Sequence, residues 1–151
     1  MILESGSIPV ERVNGSAPRL EERFGVAGGL TRMGFNITTL MPGERSAMRH
    51  WHEEEDEFLY MIEGEAVVVE NDGAHVIGPG DICCWPAGVP NAHHVLNRSD
   101  APVRYLVAGS EPATDVCHYP DDGQVMHHRP PRWWVEDADG RILREGSTDG
   151  G

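Results

Sequence analysis

The chain has 151 residues, which fits one domain with a hydrophobic core, and its 12 basic against 25 acidic residues give a formal net charge of −13. Because such a surface repels phosphate backbones and anionic membranes, we expect neither a nucleic-acid nor a membrane partner. The sequence also lacks an apolar run of the ~20 residues that a membrane span needs and a secretion signal at its start, so we expect a cytoplasmic protein.

The first part of the chain predicts an irregular N-terminal arm followed by a series of strands. Residues 1–20 mix proline, glycine, serine and charged residues, a composition typical of a segment that wraps the outside of a domain. Eight short segments rich in Val, Ile, Phe, Tyr and Leu follow, separated by turn sequences. They cover residues 34–40, 46–52, 57–63, 65–70, 74–77, 81–85, 91–97 and 103–109. Short strands without amphipathic helices between them predict an all-β sandwich or small barrel.

The sequence changes character after Gly109. Residues 111–124 contain two prolines and several acidic residues, and we expect them to be irregular. The sequences RWWVED and RILREG then predict a last hairpin that turns at Asp139 and Gly140. We therefore predict a single domain over residues 1–151, with a barrel core at about 29–110, a C-terminal extension at 111–145 and a disordered tail at 146–151.

The sharpest charge cluster of the chain follows two histidines in RHWHEEEDEFLYMIEG, residues 49–64. In a strand, His50 and His52 point to the same side and present two imidazoles together. Glu57 begins the next apolar segment and shares a face with Leu59 and Met61. If that face is interior, Glu57 is a buried carboxylate that needs a cation or a metal as its partner.

The other four acids of the run have a simpler interpretation. Glu53, Glu54, Glu55 and Asp56 fall between two predicted strands, and we expect a solvated loop. A third imidazole comes from residues 91–97, where alternation allows only one of His93 and His94 to point inward. Two or three neutral imidazoles and one carboxylate suit a borderline divalent metal and leave positions open for water or substrate.

Three cysteines complete the inventory of reactive side chains. Cys83 and Cys84 are adjacent, and Cys117 stands alone. An odd number without C-x-x-C spacing predicts neither a disulfide framework nor a zinc site. We interpret them as small apolar residues in a reducing compartment.

Two motifs together resemble the cupin superfamily, and in particular small bacterial single-domain cupins. The first motif is matched by Gly43, His50, His52, Glu57 and Gly64, and the second by Gly80, Pro86, Gly88, His93 and Asn97. Six residues separate Gly43 from His50 where five are commoner in the family, and four residues separate Gly88 from His93 where two are commoner. His93 keeps the H-x-x-x-N ending of the motif, with His94 as the alternative. The resemblance covers about residues 29–120.

The resemblance implies a cupin-type double-stranded β-helix, or jelly-roll barrel, that holds one divalent metal ion per chain. The implied ions are Fe, Ni, Zn or Mn, and the implied ligands are His50, His52, Glu57 and His93. A small-molecule metalloenzyme of the dioxygenase, isomerase or lyase type is the first hypothesis, and Glu57 would act as a base if it detached from the metal. The alternative is a non-catalytic cupin that binds a sugar or a small acid.

Outward-facing aromatic residues beside the two motifs predict a homodimer. Trp51 and Phe58 lie on outward faces beside the motif strands, which makes a homodimer surface plausible. Gly64, Gly80 and Gly88 are expected to be turn glycines with positive φ.

Overall fold

The structure is a computed structural model that describes residues 1–148. These residues form one short helix, α1 (Phe24–Ala27), and fourteen strands. The strands are β1 (Glu11–Val13), β2 (Arg19–Glu22), β3 (Met33–Leu40), β4 (Trp51–His52), β5 (Glu57–Glu63), β6 (Ala66–Glu70), β7 (Gly73–Ile77), β8 (Ile82–Trp85), β9 (His94–Leu96), β10 (Val103–Ser110), β11 (Asp115–Tyr119), β12 (Gln124–Arg129), β13 (Arg132–Asp137) and β14 (Ile142–Ser147). The all-β prediction is confirmed.

The strands form three antiparallel sheets. The largest has the order β1-β2-β3-β10-β5-β8, the second β14-β13-β12-β11-β4, and the third β7-β6-β9. Strand β10 lies at the centre of the largest sheet, where Leu106 pairs with Ile37 on one side and with Tyr60 on the other. Strands distant in sequence are therefore neighbours, as a jelly-roll barrel requires.

The core lies inside the barrel and follows the predicted alternation. On β5, Leu59 and Met61 are 1% and 0% exposed, whereas Tyr60 is 41% exposed. Residues 93–97 follow the same rule, since His93, Val95 and Asn97 are buried. Because side chains alternate along a strand, the buried Leu59 and Met61 carry Glu57 to the barrel interior.

The flanking segments contain more strands than the sequence predicted. The N-terminal arm includes β1 and β2, and β2 pairs with β3. The segment predicted as irregular contains β11, which ends at Tyr119 directly before Pro120. Residues 146 and 147, assigned to the tail from sequence, belong to β14, while residues 149–151 lie outside the described residues.

Two further expectations have clear outcomes. The predicted strand at 46–52 is regular only at β4, and Arg45 and His50 form isolated bridges with Leu96 and His93. Gly64, Gly80 and Gly88 all have positive φ, and a Cβ at Gly64 would lie 2.9 Å from the Pro102 carbonyl oxygen. No helix among residues 1–148 is long and apolar enough to cross a membrane.

Candidate functional site

Three histidines and Glu57 meet inside the barrel because two strand ends are bridged there. His50 N donates to the His93 carbonyl oxygen at 3.1 Å, and His93 N donates to the His50 carbonyl oxygen at 2.8 Å. This reciprocal pair holds the two imidazole centroids 5.0 Å apart, and the His52 ring lies 5.0 Å from His50. The predicted residues thus reach one place from three separate segments.

The three rings converge on one oxygen of Glu57. Oε2 of Glu57 lies 3.7 Å from Nε2 of His50, 3.8 Å from Nε2 of His52 and 2.9 Å from Nε2 of His93. This oxygen is buried, and within residues 1–148 no group forms a hydrogen bond with it in acceptable geometry, His93 included. A buried carboxylate oxygen without a donor is costly, and a cation among the four side chains would offset that cost.

The opposite ring nitrogens are held by other groups. Nδ1 of His50 lies 2.8 Å from the Met48 carbonyl oxygen, and Nδ1 of His93 lies 3.4 Å from that of Asn91. Nδ1 of His52 lies 2.5 Å from Oδ2 of Asp115. When each Nδ1 donates to its oxygen, each Nε2 keeps a lone pair directed at the cluster, which is the arrangement that metal-binding histidines adopt.

The pKa values of His50 and Glu57 favour a neutral imidazole beside an ionised carboxylate. Burial lowers the pKa of His50 to about 4, reinforced by the neighbouring histidines, so this ring is neutral at pH 7. Burial raises the pKa of Glu57, but His93, His50 and His52 outweigh burial and lower the pKa to about 2. The neutral nitrogen of His50 and the ionised oxygen of Glu57 are donors that suit a divalent ion at pH 7.

The structure separates the two candidate histidines of the second motif. His93 is 4% exposed, and its ring stacks on Trp85 with centroids 3.7 Å apart. His94 lies on the other face of β9, where its Nδ1 is 3.3 Å from the Ala47 carbonyl oxygen. Of the two, only His93 is grouped with His50 and Glu57 within 4.8 Å.

The cluster opens into a cavity of about 330 Å³. Its wall combines polar side chains with apolar ones, among them Leu59 and Val107. The polar residues that line it include Arg19, Asn36, Thr38, Ser46 and Tyr105. This size and this mixture of polar and apolar groups suit a small oxygen-rich molecule.

Glu55 belongs to this cavity, contrary to the solvated loop predicted for it. Its carboxyl group occupies the space above Gly109, where an added Cβ would lie 2.0 Å from Oε1. Burial, together with Glu57, Asp115 and Glu111, raises the pKa of Glu55 to about 8. Glu55 lies two residues before Glu57, and this spacing is a sequence signal for the placement, since residues two apart share a strand face.

The remaining acids and histidines of the region face outward or serve the fold. Nε2 of His118 lies 2.7 Å from Oε1 of Glu53, and its ring stacks on Trp51 at 4.1 Å. Oδ1 of Asp56 accepts a hydrogen bond from Ala87 N at 2.8 Å. The predicted outward face of Trp51 is therefore partly covered by this chain itself.

Comparisons with known proteins agree with the architecture. A family model described as "Cupin domain" matches residues 36–109. A crystal structure of a sugar phosphate isomerase from a cupin superfamily, from Silicibacter pomeroyi DSS-3, is 35% identical, with a TM-score of 0.79 over 100% of this chain and 95% of that one.

Two further structures extend this similarity. A provisionally named sugar phosphate isomerase from Acidithiobacillus ferrooxidans ATCC 23270 is 28% identical, with a TM-score of 0.87 over 95% of this chain and 96% of that one. A predicted oxalate decarboxylase from Thermotoga maritima, 24% identical with a TM-score of 0.63 over 74% of this chain and 100% of that one, shares the fold. No curated protein has significant sequence similarity to the chain.

Proposed function

Because the chain belongs to the cupin superfamily, we propose that it is an enzyme that holds one divalent metal ion in its barrel and isomerises a small sugar phosphate. The proposed ligands are His50, His52, Glu57 and His93. The observation that carries this proposal is the buried Oε2 of Glu57, which faces three Nε2 atoms and lacks a hydrogen-bond partner among the described residues. Three nitrogens and one oxygen suit Fe, Ni, Zn or Mn.

The reaction class follows from the two similar structures that span nearly the whole chain, both of which are named as sugar phosphate isomerases. Aldose–ketose isomerisation moves a carbon-bound proton from C2 to C1 and a hydroxyl proton from O2 to O1, so it needs no oxidant or reductant. A bound divalent ion supplies Lewis-acid polarisation of the substrate oxygens. The sequence contains no lysine, which removes a lysine Schiff base as an alternative route.

Glu55 is the residue that we propose to move the carbon-bound proton. Its carboxyl group lines the cavity but is not among the proposed ligands. Once ionised, one of its oxygens can take the proton from C2 and return it to C1. Glu57 is the base suggested by the sequence, but three Nε2 atoms surround its Oε2, which favours the ligand role for Glu57.

Arg19 is the proposed partner of the substrate phosphate. Nε of Arg19 donates to Oε1 of Glu21 at 2.6 Å, and Nη1 donates to the Ala17 carbonyl oxygen at 3.1 Å, so its guanidinium is held in place. Among the described residues that line this cavity, Arg19 alone is an arginine or lysine. A fixed guanidinium favours a bidentate contact with phosphate oxygens.

A second copy of the chain is the proposed macromolecular partner. Tyr60 and Ile82 pair across β5 and β8 on the outer face of the sheet and are 41% and 58% exposed. This apolar face continues to the free edge of β8, which is the last strand of its sheet. Ile82→Glu should convert a dimer to a monomer in sedimentation, and a wild-type monomer would contradict the dimer proposal.

The cytoplasmic location stays a prediction, supported by three cysteines that are all free.

The test is isomerisation in deuterated water. Protein loaded separately with Fe, Ni, Zn or Mn is mixed with pentose and hexose phosphates, and NMR follows both the ketose product and deuterium entry at C1 or C2. We expect one substrate to turn over, chelation to stop it, and Glu55→Gln to lose it while keeping the metal. Tight binding of sugars or small acids without turnover would support the non-catalytic alternative instead. No metal uptake at all would overturn the metalloenzyme proposal and leave the non-catalytic alternative.

A further inference from the structure

Asp115 contacts Nδ1 of His52, a proposed ligand, from a strand that the family model does not cover. We infer that Asp115 is a positioning residue that fixes the ring orientation and tautomer of His52, so that Nε2 is free for the metal. The inference rests on the proposed function, because it concerns how one proposed ligand is held. Asp115 begins β11, beyond the residues 36–109 that the family model matches.

Both oxygens of Asp115 accept hydrogen bonds. Oδ2 lies 2.5 Å from Nδ1 of His52, and Oδ1 accepts from the backbone N of Glu54 at 3.0 Å. The residue is 7% exposed, so water contributes little to these contacts. Oε2 of Glu55 lies 3.8 Å from the same Nδ1, which is beyond hydrogen-bonding distance, and Asp115 is therefore the partner.

The sheet fixes Asp115 relative to His52. Strands β11 and β4 are antiparallel neighbours, and Cys117 pairs directly with His52. Two residues before Cys117, Asp115 shares its strand face and reaches the ring from the side of Nδ1. With Nδ1 bound to a carboxylate, His52 donates there and presents the lone pair of Nε2 toward Oε2 of Glu57, 3.8 Å away.

Only a carboxylate satisfies both donors at this position. In Asp115→Asn, an amide oxygen turned to His52 would point the amide NH₂ at the Glu54 N–H, which places two donors together. The opposite orientation would point the NH₂ at Nδ1, which then must accept, so the proton moves to Nε2 and blocks metal binding. Either orientation costs one of the two bonds or the ligating tautomer.

The experiment compares Asp115→Asn with Asp121→Asn, a matched change at an exposed aspartate whose carboxylate pairs with Arg49. Nitrogen-15 NMR of histidine-labelled, metal-free protein reports which ring nitrogen of His52 carries the proton. Competition with a chelator reports the affinity for Zn and Mn. We expect Asp115→Asn to shift the His52 tautomer and to weaken metal binding by ~10–100-fold, and Asp121→Asn to change neither.

The two readouts separate the inference from the proposal on which it rests. If wild-type protein binds metal and Asp115→Asn binds it equally well with an unchanged His52 tautomer, the positioning role is wrong and the metal site stands. If wild-type protein binds no metal, the proposed function fails, whatever the His52 tautomer is. A circular dichroism spectrum and a melting temperature close to wild type keep either result from being attributed to unfolding.

Discussion

Among the described residues, one group of ligand-type side chains lies inside the barrel and another lies on a hairpin, and the two differ in what surrounds them. The inner cluster consists of His50, Glu57 and His93, and the hairpin cluster consists of Glu70, Asp72 and His75. In each cluster the potential donor atoms lie within 4.8 Å of one another. By composition and proximity alone, both clusters qualify as metal sites.

Burial and hydrogen bonding separate them. In the hairpin cluster, Nε2 of His75 lies 2.8 Å from Oδ1 of Asp72, the two side chains are 48% and 73% exposed, and Oε1 of Glu70 accepts from Nε1 of Trp85 at 2.6 Å. Every group there is exposed or has a hydrogen-bond partner. In the inner cluster, Oε2 of Glu57 is buried and has no hydrogen-bond partner among residues 1–148. A buried acceptor without a donor, rather than mere proximity of ligand types, is therefore what indicates a cation.

The largest contrast is expected from removing one histidine of each cluster. His93→Ala deletes a proposed ligand and should weaken binding of Zn or Mn by more than ~100-fold, since loss of an outer-shell partner alone costs 10–100-fold. His75→Ala removes a residue that is paired and hydrated and should leave the affinity unchanged. Calorimetric titration of both variants checks this. Equal metal affinities of the two variants would mean that burial does not distinguish the inner cluster from the hairpin cluster as a metal site.

The next largest effect is expected on turnover, from a substitution in the cavity wall and not at a proposed metal ligand. Gly109→Ala places a Cβ where the Glu55 carboxyl group now lies, and the side chain must move because its Oε1 would be 2.0 Å away. We expect turnover of the sugar phosphate to fall ~100-fold, as for loss of a general base, with metal content unchanged. Metal analysis beside steady-state kinetics checks it. Unchanged turnover would exclude Glu55 as the proton carrier.

The sequence predicted the inner cluster better than its surroundings, for a physical reason. Alternation within β5 and within residues 93–97 placed Glu57 and His93 correctly, because side-chain direction in a strand is local. Asp115 and Arg19 depend on β11 pairing with β4 and on β2 pairing with β3, which no local pattern specifies. Glu55 does lie between two strands as predicted, but five acids in a row indicate solvent exposure more strongly than a two-residue spacing from Glu57 indicates a place in the cavity.

A smaller contrast is expected in stability. A ligand at 100 times its dissociation constant stabilises the folded state by ~2.7 kcal/mol, so added Zn or Mn should raise the unfolding free energy of wild-type protein by about that amount. Asp72→Asn should show the same gain, and Glu57→Gln should show none. Urea unfolding with and without chelator measures it. A metal-dependent gain that persists in Glu57→Gln would locate the bound ion elsewhere.

The smallest effect is expected at the residue next to the cluster in sequence. His94 lies on the opposite face of β9 from His93, and its Nδ1 lies 3.3 Å from the Ala47 carbonyl oxygen. Because a partly exposed side chain away from the site changes free energies by about 0.5 kcal/mol or less, His94→Ala should alter metal affinity by no more than ~2-fold. Titration beside His93→Ala measures it. A large loss in His94→Ala would make His94 the ligand in place of His93 and place the ligating face of β9 on the side of Leu96. Because neighbouring residues of a strand point to opposite faces, a shift of one residue decides whether this strand offers a histidine to a metal.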